Sequence, residues 1–174
     1  MVEQQSPIRI MFAGGGTGGH LYPAMRLAEG ARVFAQNHAL PDPLIAFIGN
    51  EQGIEGRMLA DRETFYPIDV QGFHRGSLIN MVTSNLAFFG KLLTSYIRSR
   101  AILRQFNPDI MVGTGGYVSG PPVYAAARMD IPTLIQEQNS YPGITTRLLA
   151  KHADEIHVAY PDAMEQLGKK KRQN

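Results

Sequence analysis

The chain has 174 residues, 44% hydrophobic and 18% charged, which fits one folded domain with a full core and excludes a disordered polar chain. It contains no cysteine, which excludes disulfides and thiolate metal sites, and no apolar run reaches the roughly 18 residues of a membrane span. The formal charge of +2 belongs to the tail: without Lys169-Lys170-Lys171-Arg172, thirteen basic residues face fifteen acidic ones, so no nucleic-acid partner is expected.

The polar start Met1-Val2-Glu3-Gln4-Gln5-Ser6 carries no secretory signal pattern, and a cytoplasmic-side protein is expected. The first apolar run, Ile8-Arg9-Ile10-Met11-Phe12-Ala13, reads as a buried strand. Gly14-Gly15-Gly16-Thr17-Gly18-Gly19-His20 follows it. A helix comes next, with Pro23 helping to start it and Ala24, Leu27, Ala28, Ala31 and Phe34 at helical spacing. Strand, glycine turn and helix N-terminus together make an anion site. Glycines let N–H groups approach a phosphate closely, and the helix end adds about half a positive charge. His20 supplies the side-chain type that titrates nearest neutral pH, and so a proton acceptor beside that cradle.

Gly14-x-Gly16-x-x-Gly19 also matches the dinucleotide fingerprint, with Glu51 as the acidic candidate after the second strand. His20 directly after the glycines weighs against a NAD(P)-binding oxidoreductase. So do the second glycine cluster described below and the lack of a substrate domain.

Leu44-Ile45-Ala46-Phe47-Ile48 reads as a second strand ended by Gly49-Asn50. Phe65-Tyr66-Pro67-Ile68 is a short third, whose proline marks an edge or a bend. From Val70 through Pro108 there is no acidic residue, while Arg75, Lys91, Arg98, Arg100 and Arg104 are present. Val82, Leu86, Phe89, Leu93 and Tyr96 follow helical spacing in a long segment ending near Phe106. Its apolar residues cover about half of a helical wheel, more than the roughly 100° stripe a core needs. Two readings stay open: docking on an anionic membrane surface through Leu86, Phe89, Leu93, Tyr96 and Lys91, or a helix wedged between the sheet and another domain.

Ile110-Met111-Val112 is the fourth strand, followed by Gly113-Thr114-Gly115-Gly116-Tyr117-Val118-Ser119-Gly120-Pro121-Pro122. Ser119 either caps the helix over 121–129 or reaches a phosphate. Tyr117 either points into the crevice or covers the sheet end. Thr133-Leu134-Ile135 is the fifth strand, with Gln136-Glu137-Gln138-Asn139 directly after it. Four polar residues at a strand end are costly to bury unpaired. Glu137 is a candidate base or orienter, and Asn139 a candidate reader of a hydroxyl or amide. A helix over 144–153 and a sixth strand, Glu155-Ile156-His157-Val158, complete the alternation. His38, His74, His152 and His157 have no metal-ligand spacing; they read as surface or packing residues, and no metal or cofactor is expected.

Strand alternating with helix predicts an α/β fold, a Rossmann-like doubly wound parallel sheet with order 3-2-1-4-5. Strands one and four are then neighbours, and the two glycine clusters face each other across one crevice. One domain over residues 1–168 is expected, with 169–174 as a basic tail.

Three motifs resemble the peptidoglycan N-acetylglucosaminyltransferases of glycosyltransferase family 28. They are Gly14 to His20 with Pro23, Gly115-Gly116-Tyr117-Val118-Ser119-Gly120-Pro121, and Glu137-Gln138-Asn139. Gly76, Pro108-Asp109 and Leu149-Ala150-Lys151 fit the intervening pattern.

That family has two Rossmann-like halves, the GT-B fold, and inverts the sugar it transfers. The resemblance implies transfer of N-acetylglucosamine from UDP-GlcNAc to undecaprenyl-pyrophosphoryl-N-acetylmuramyl pentapeptide at the cytoplasmic face of the inner membrane. This chain corresponds to the half that binds the lipid-linked acceptor. His20, Glu137 and Tyr117 are implied in catalysis, and Thr17, Gly18, Gly19 and Asn139 at the donor. Gly15, Gly16, Gly115, Gly116 and Ser119 are implied at the acceptor pyrophosphate. The nucleotide-binding half is expected on a longer chain or on a second one. The alternatives are a non-catalytic membrane-recruiting subunit of a split transferase and the oxidoreductase domain.

Overall fold

The computed structural model describes residues 6–70 and 81–167, with 81–88 described as backbone only. Strand β1 (Arg9–Gly14) runs through the first glycine turn into α1 (Gly18–Asn37), followed by β2 (Leu44–Asn50), α2 (Ile54–Leu59) and β3 (Thr64–Ile68). The long α3 (Met81–Phe106) leads to β4 (Ile110–Gly115), a single 3-10 turn (Tyr117–Ser119) and α4 (Gly120–Ala127). Then come β5 (Thr133–Glu137), α5 (Ile144–Leu149), β6 (Glu155–Val158) and α6 (Pro161–Gln166). Gly76, His74, Arg75 and the basic tail from Lys169 lie outside the described residues, as do the side chains of Val82 and Leu86.

The six strands form one parallel sheet in the order β3-β2-β1-β4-β5-β6. β3, with Pro67, is an edge strand, as its sequence predicts. Side chains alternate between two apolar layers, as the strand period of two requires. Ile10, Phe12, Ile45, Phe47 and Val112 pack with Leu21, Ala24 and Ala28 of α1 and Leu59 of α2. Met11, Ala13, Ala46, Ile48, Met111 and Ile135 face the other way, onto Ile102, Leu103 and Phe106 of α3 and Val123 and Ala126 of α4. Both faces are covered, so the central strands are apolar throughout rather than alternately polar.

α1 begins at Gly18, and Pro23 sits inside it rather than at its start. Thr17 is extended (φ −147°, ψ 158°), so helical backbone begins with the glycines themselves. Gln136 and Glu137 belong to β5 rather than to the loop after it. The segment expected to be helical over 144–153 stops at Leu149. α2 and α6 have no counterpart in the sequence reading, since six residues are too few to display helical periodicity.

Candidate functional site

Strand order reverses between β1 and β4, the place where open α/β sheets hold ligands. Both glycine clusters end up there because each ends one of those two strands. Gly14 pairs with Gly115 across the sheet. The loops beyond this pair do more than face one another. A Cβ on Gly116 would lie 2.1 Å from the carbonyl oxygen of Gly15, so the turns interlock backbone to backbone. Gly116 also holds φ +78°, where a side chain is strained.

His20, on the first turn of α1, turns its half-buried ring into this junction. Its Nδ1 lies 3.2 Å from the Thr114 carbonyl oxygen and 2.7 Å from Nε2 of Gln138. In return the Thr114 hydroxyl donates to the His20 carbonyl at 2.7 Å. Gly115 leaves room for the ring: a Cβ there would meet Nδ1 at 2.8 Å. The ring is thus clamped through one nitrogen, and Nε2 has no partner among the described residues.

Around it, α1 presents the N–H groups of Gly18 and Gly19, which as first helical residues have no intrahelical acceptor. Thr17 occupies the N-cap position, yet its exposed hydroxyl makes no capping bond. Gly16 differs. Its N–H donates to Oε2 of Glu55 at 3.1 Å, so it is already committed. Ser119 is buried and neither caps α4 nor faces outward, because its hydroxyl donates to the Gly116 carbonyl at 2.9 Å. Ser119 therefore fastens the second loop, correcting both sequence expectations for that side chain. The Tyr117 ring is 38% exposed and lies over Gly16; a Cβ on that glycine would stand 2.7 Å from Cε1.

Glu137 is 1% exposed and has both carboxylate oxygens engaged. Oε1 accepts from the backbone N–H of Asn139 at 3.0 Å and from its side-chain amide at 2.8 Å. Oε2 accepts from the N–H of Gly143 at 3.3 Å. Of the two roles the sequence leaves open, this geometry fits an orienter: the buried carboxylate shapes the 138–143 turn and fixes the amide of exposed Asn139.

Sequence reasoning misses Glu55, which is 1% exposed behind the first glycine turn. It accepts from Gly16 and, at 3.0 Å, from the N–H of Asn50. The carboxylate thereby fills the back of the nest that glycine loops otherwise offer to an anion. Ile54-Glu55-Gly56 lies in the six-residue α2, and nothing in its spacing flags a functional group. Glu55→Ala is expected to destabilise the chain by roughly 2–4 kcal/mol, since two backbone donors lose their acceptor and a cavity opens. Urea unfolding monitored by circular dichroism measures this as a lower midpoint.

On α3 the outer stripe is apolar. Phe89, Leu93 and Ile97 are 63%, 59% and 58% exposed, four residues apart. Tyr96 is not part of this stripe, a correction to the sequence reading. It is half-buried against the core and packs on the Tyr124 ring at 5.8 Å. Lys91 pairs with Asp69 at 3.4 Å. His38 stacks on Phe34, His152 meets the edge of Tyr124, and His157 pairs with Glu155. Among the described residues no three His, Asp or Glu side chains cluster to hold a metal ion, and no helix is long and apolar enough to cross a membrane.

The model of the glycosyltransferase family 28 N-terminal domain matches residues 10–158. The chain is 41% identical over 157 residues to a UDP-N-acetylglucosamine–N-acetylmuramyl-(pentapeptide) pyrophosphoryl-undecaprenol N-acetylglucosamine transferase of Prosthecochloris aestuarii, covering 90% of this chain and 42% of that protein. It is 43% identical over 166 residues to the transferase of the same name from Leuconostoc mesenteroides, covering 94% and 43%. The crystal structure of Acinetobacter baumannii MurG superposes with a TM-score of 0.72 at 31% identity, over 90% of this chain and 42% of that one. The chain thus spans less than half the length of the curated relatives it matches. The glycine-loop junction with its clamped histidine lies wholly within the matched residues, and the chain belongs to glycosyltransferase family 28 as its N-terminal domain.

Proposed function

We propose that this chain is the acceptor-binding half of an inverting transferase that moves N-acetylglucosamine from UDP-GlcNAc to the N-acetylmuramyl 4-hydroxyl of undecaprenyl-pyrophosphoryl-N-acetylmuramyl pentapeptide. The observation that carries this reading is the imidazole of His20, held through Nδ1 at the junction of two glycine loops with Nε2 left over. Nε2 takes the proton of the acceptor hydroxyl as that oxygen attacks the anomeric carbon. The bond from that carbon to the diphosphate breaks, and UDP leaves with the electron pair. The N–H groups of Gly18 and Gly19, with the Thr17 hydroxyl, receive phosphate oxygens at the dipole end of α1. Gly15, Gly16 and Ser119 act behind them, holding the loops in register with Glu55 and Gly116. Asn139, oriented by Glu137, meets a sugar hydroxyl.

The nucleotide half of the site belongs to a second domain, in keeping with the share of its relatives that this chain spans. Sugar transfer tests the reading. The complete protein, given labelled UDP-GlcNAc and the lipid-linked acceptor, is expected to form labelled disaccharide lipid, and no transfer contradicts it. The oxidoreductase alternative predicts saturable NADH binding instead; the family match favours the transferase.

The same reading assigns the outer stripe of α3 to the surface of an anionic membrane, with the protein peripheral on the cytoplasmic side of the inner membrane. Three exposed apolar side chains at one-turn spacing, with Arg98 and Arg104 also exposed on the helix, support it. Co-sedimentation with anionic vesicles is expected to rise with anionic lipid and fall with salt. Replacing Leu93 and Ile97 by Ser is expected to reduce it several-fold. Binding indifferent to both changes would assign the stripe to another domain.

A further inference from the structure

His20 can act as a base only if its proton resides on Nδ1, leaving the Nε2 lone pair toward the reacting hydroxyl. The neutral histidine side chain in water favours the opposite tautomer, with the proton on Nε2, so something in the fold must hold the proton in place. Two groups meet Nδ1. The Thr114 carbonyl oxygen at 3.2 Å is an acceptor and nothing else, and the Gln138 side-chain amide stands at 2.7 Å. If the amide nitrogen donates to Nδ1, the ring nitrogen must bear a lone pair, which then faces the Thr114 carbonyl. The Gln138 oxygen is in that case buried without a donor. A half-turn of the terminal amide exchanges nitrogen and oxygen without moving the rest of the chain. Nδ1–H then donates to both the Thr114 and Gln138 oxygens, a three-centre bond; the amide nitrogen takes the buried place of the oxygen, so the orientation is decided at Nδ1, where a ring lone pair would otherwise face the Thr114 carbonyl.

We propose that Gln138 is a positioning residue that holds the Nδ1–H tautomer of His20 through its amide oxygen, together with the Thr114 carbonyl. The inference rests on the reading of His20 as the base. It extends that reading by naming the group that readies the base. The neighbouring carboxylate cannot take this part, because both oxygens of Glu137 are engaged by the 138–143 turn. A neutral amide also suits the step better than a carboxylate at that position. It orients the ring without favouring the imidazolium before the hydroxyl proton arrives.

Ring nitrogen-15 NMR tests this directly on the full 174-residue chain, with His20 assigned by its absence in His20→Ala. At alkaline pH, where imidazole is neutral, His20 is expected to show a protonated Nδ1 and an unprotonated Nε2. Gln138→Met is expected to shift the population toward Nε2–H, while Gln138→Glu, an acceptor only, keeps Nδ1–H. In the complete protein Gln138→Met is expected to lower kcat roughly 10- to 100-fold with KM little changed, the scale on which outer partners of metal-bound histidines act. A native ring protonated at Nε2, or a tautomer unmoved by Gln138→Met, overturns the proposal. The native spectrum decides even if a variant fails to fold. The tautomer readout is independent of turnover, so an active His20→Ala enzyme would remove the base reading while leaving the Nδ1–H assignment intact.

Discussion

His20→Ala in the complete protein is expected to lower kcat by roughly 10²- to 10⁴-fold, the usual contribution of a general base. KM for both substrates is expected to change little, because the variant removes no helix-end N–H group and leaves Thr17 in place. The fold should tolerate the change. The ring is half-buried rather than core, and its backbone carbonyl still accepts from Thr114. Steady-state transfer measured against UDP-GlcNAc and against acceptor separates the two parameters. Near-normal kcat would remove His20 from the chemistry and leave its clamp as a structural feature.

Gly116→Ala is expected to destabilise the chain by about 2–5 kcal/mol, through left-handed backbone strain and overpacking together. Gly116 has φ +78°, and its added methyl would sit 2.1 Å from the Gly15 carbonyl oxygen, a backbone atom that cannot swing aside. The two loops would have to separate, and the seat of the His20 ring would separate with them. Gly30→Ala is the contrasting control. It is an exposed position within α1 with nothing within 4 Å of the new methyl, so alanine is expected to stabilise by about 0.5–1 kcal/mol. Opposite signs for these two glycines, read from urea midpoints, support the interlock. A neutral Gly116→Ala would mean that the loops are free of one another.

The sheet order was legible because β1, β2, β4 and β5 are short apolar runs separated by long connections, which leaves few topologies once crossovers are constrained. That order alone predicts adjacent glycine loops, and the β1–β4 pairing brings them together. The finer arrangement was not legible. Gly15 and Gly116 announce conformational freedom, but nothing in one sequence says that the carbonyl of the first occupies the side-chain position of the second. Glu55 and Gln138 were missed for a related reason. Each acts through a contact tens of residues away along the chain, 39 for Glu55 to Gly16 and 118 for Gln138 to His20. Tyr96 was misplaced because the apolar residues of α3 cover both its core and outer faces. Only the packing of Tyr96 on Tyr124 tells the two apart. Ser119 reads as a cap by position, but the 3-10 turn directs its hydroxyl back to Gly116.

The most direct test of the central claim is a crystal structure of the complete protein with a soluble analogue of the lipid-linked acceptor bound. The acceptor pyrophosphate is expected at the glycine-loop junction after β1 and β4, with the sugar 4-hydroxyl within about 2.6–3.2 Å of His20 Nε2. An acceptor seated away from the β1–β4 junction, or a hydroxyl out of reach of that nitrogen, would contradict it.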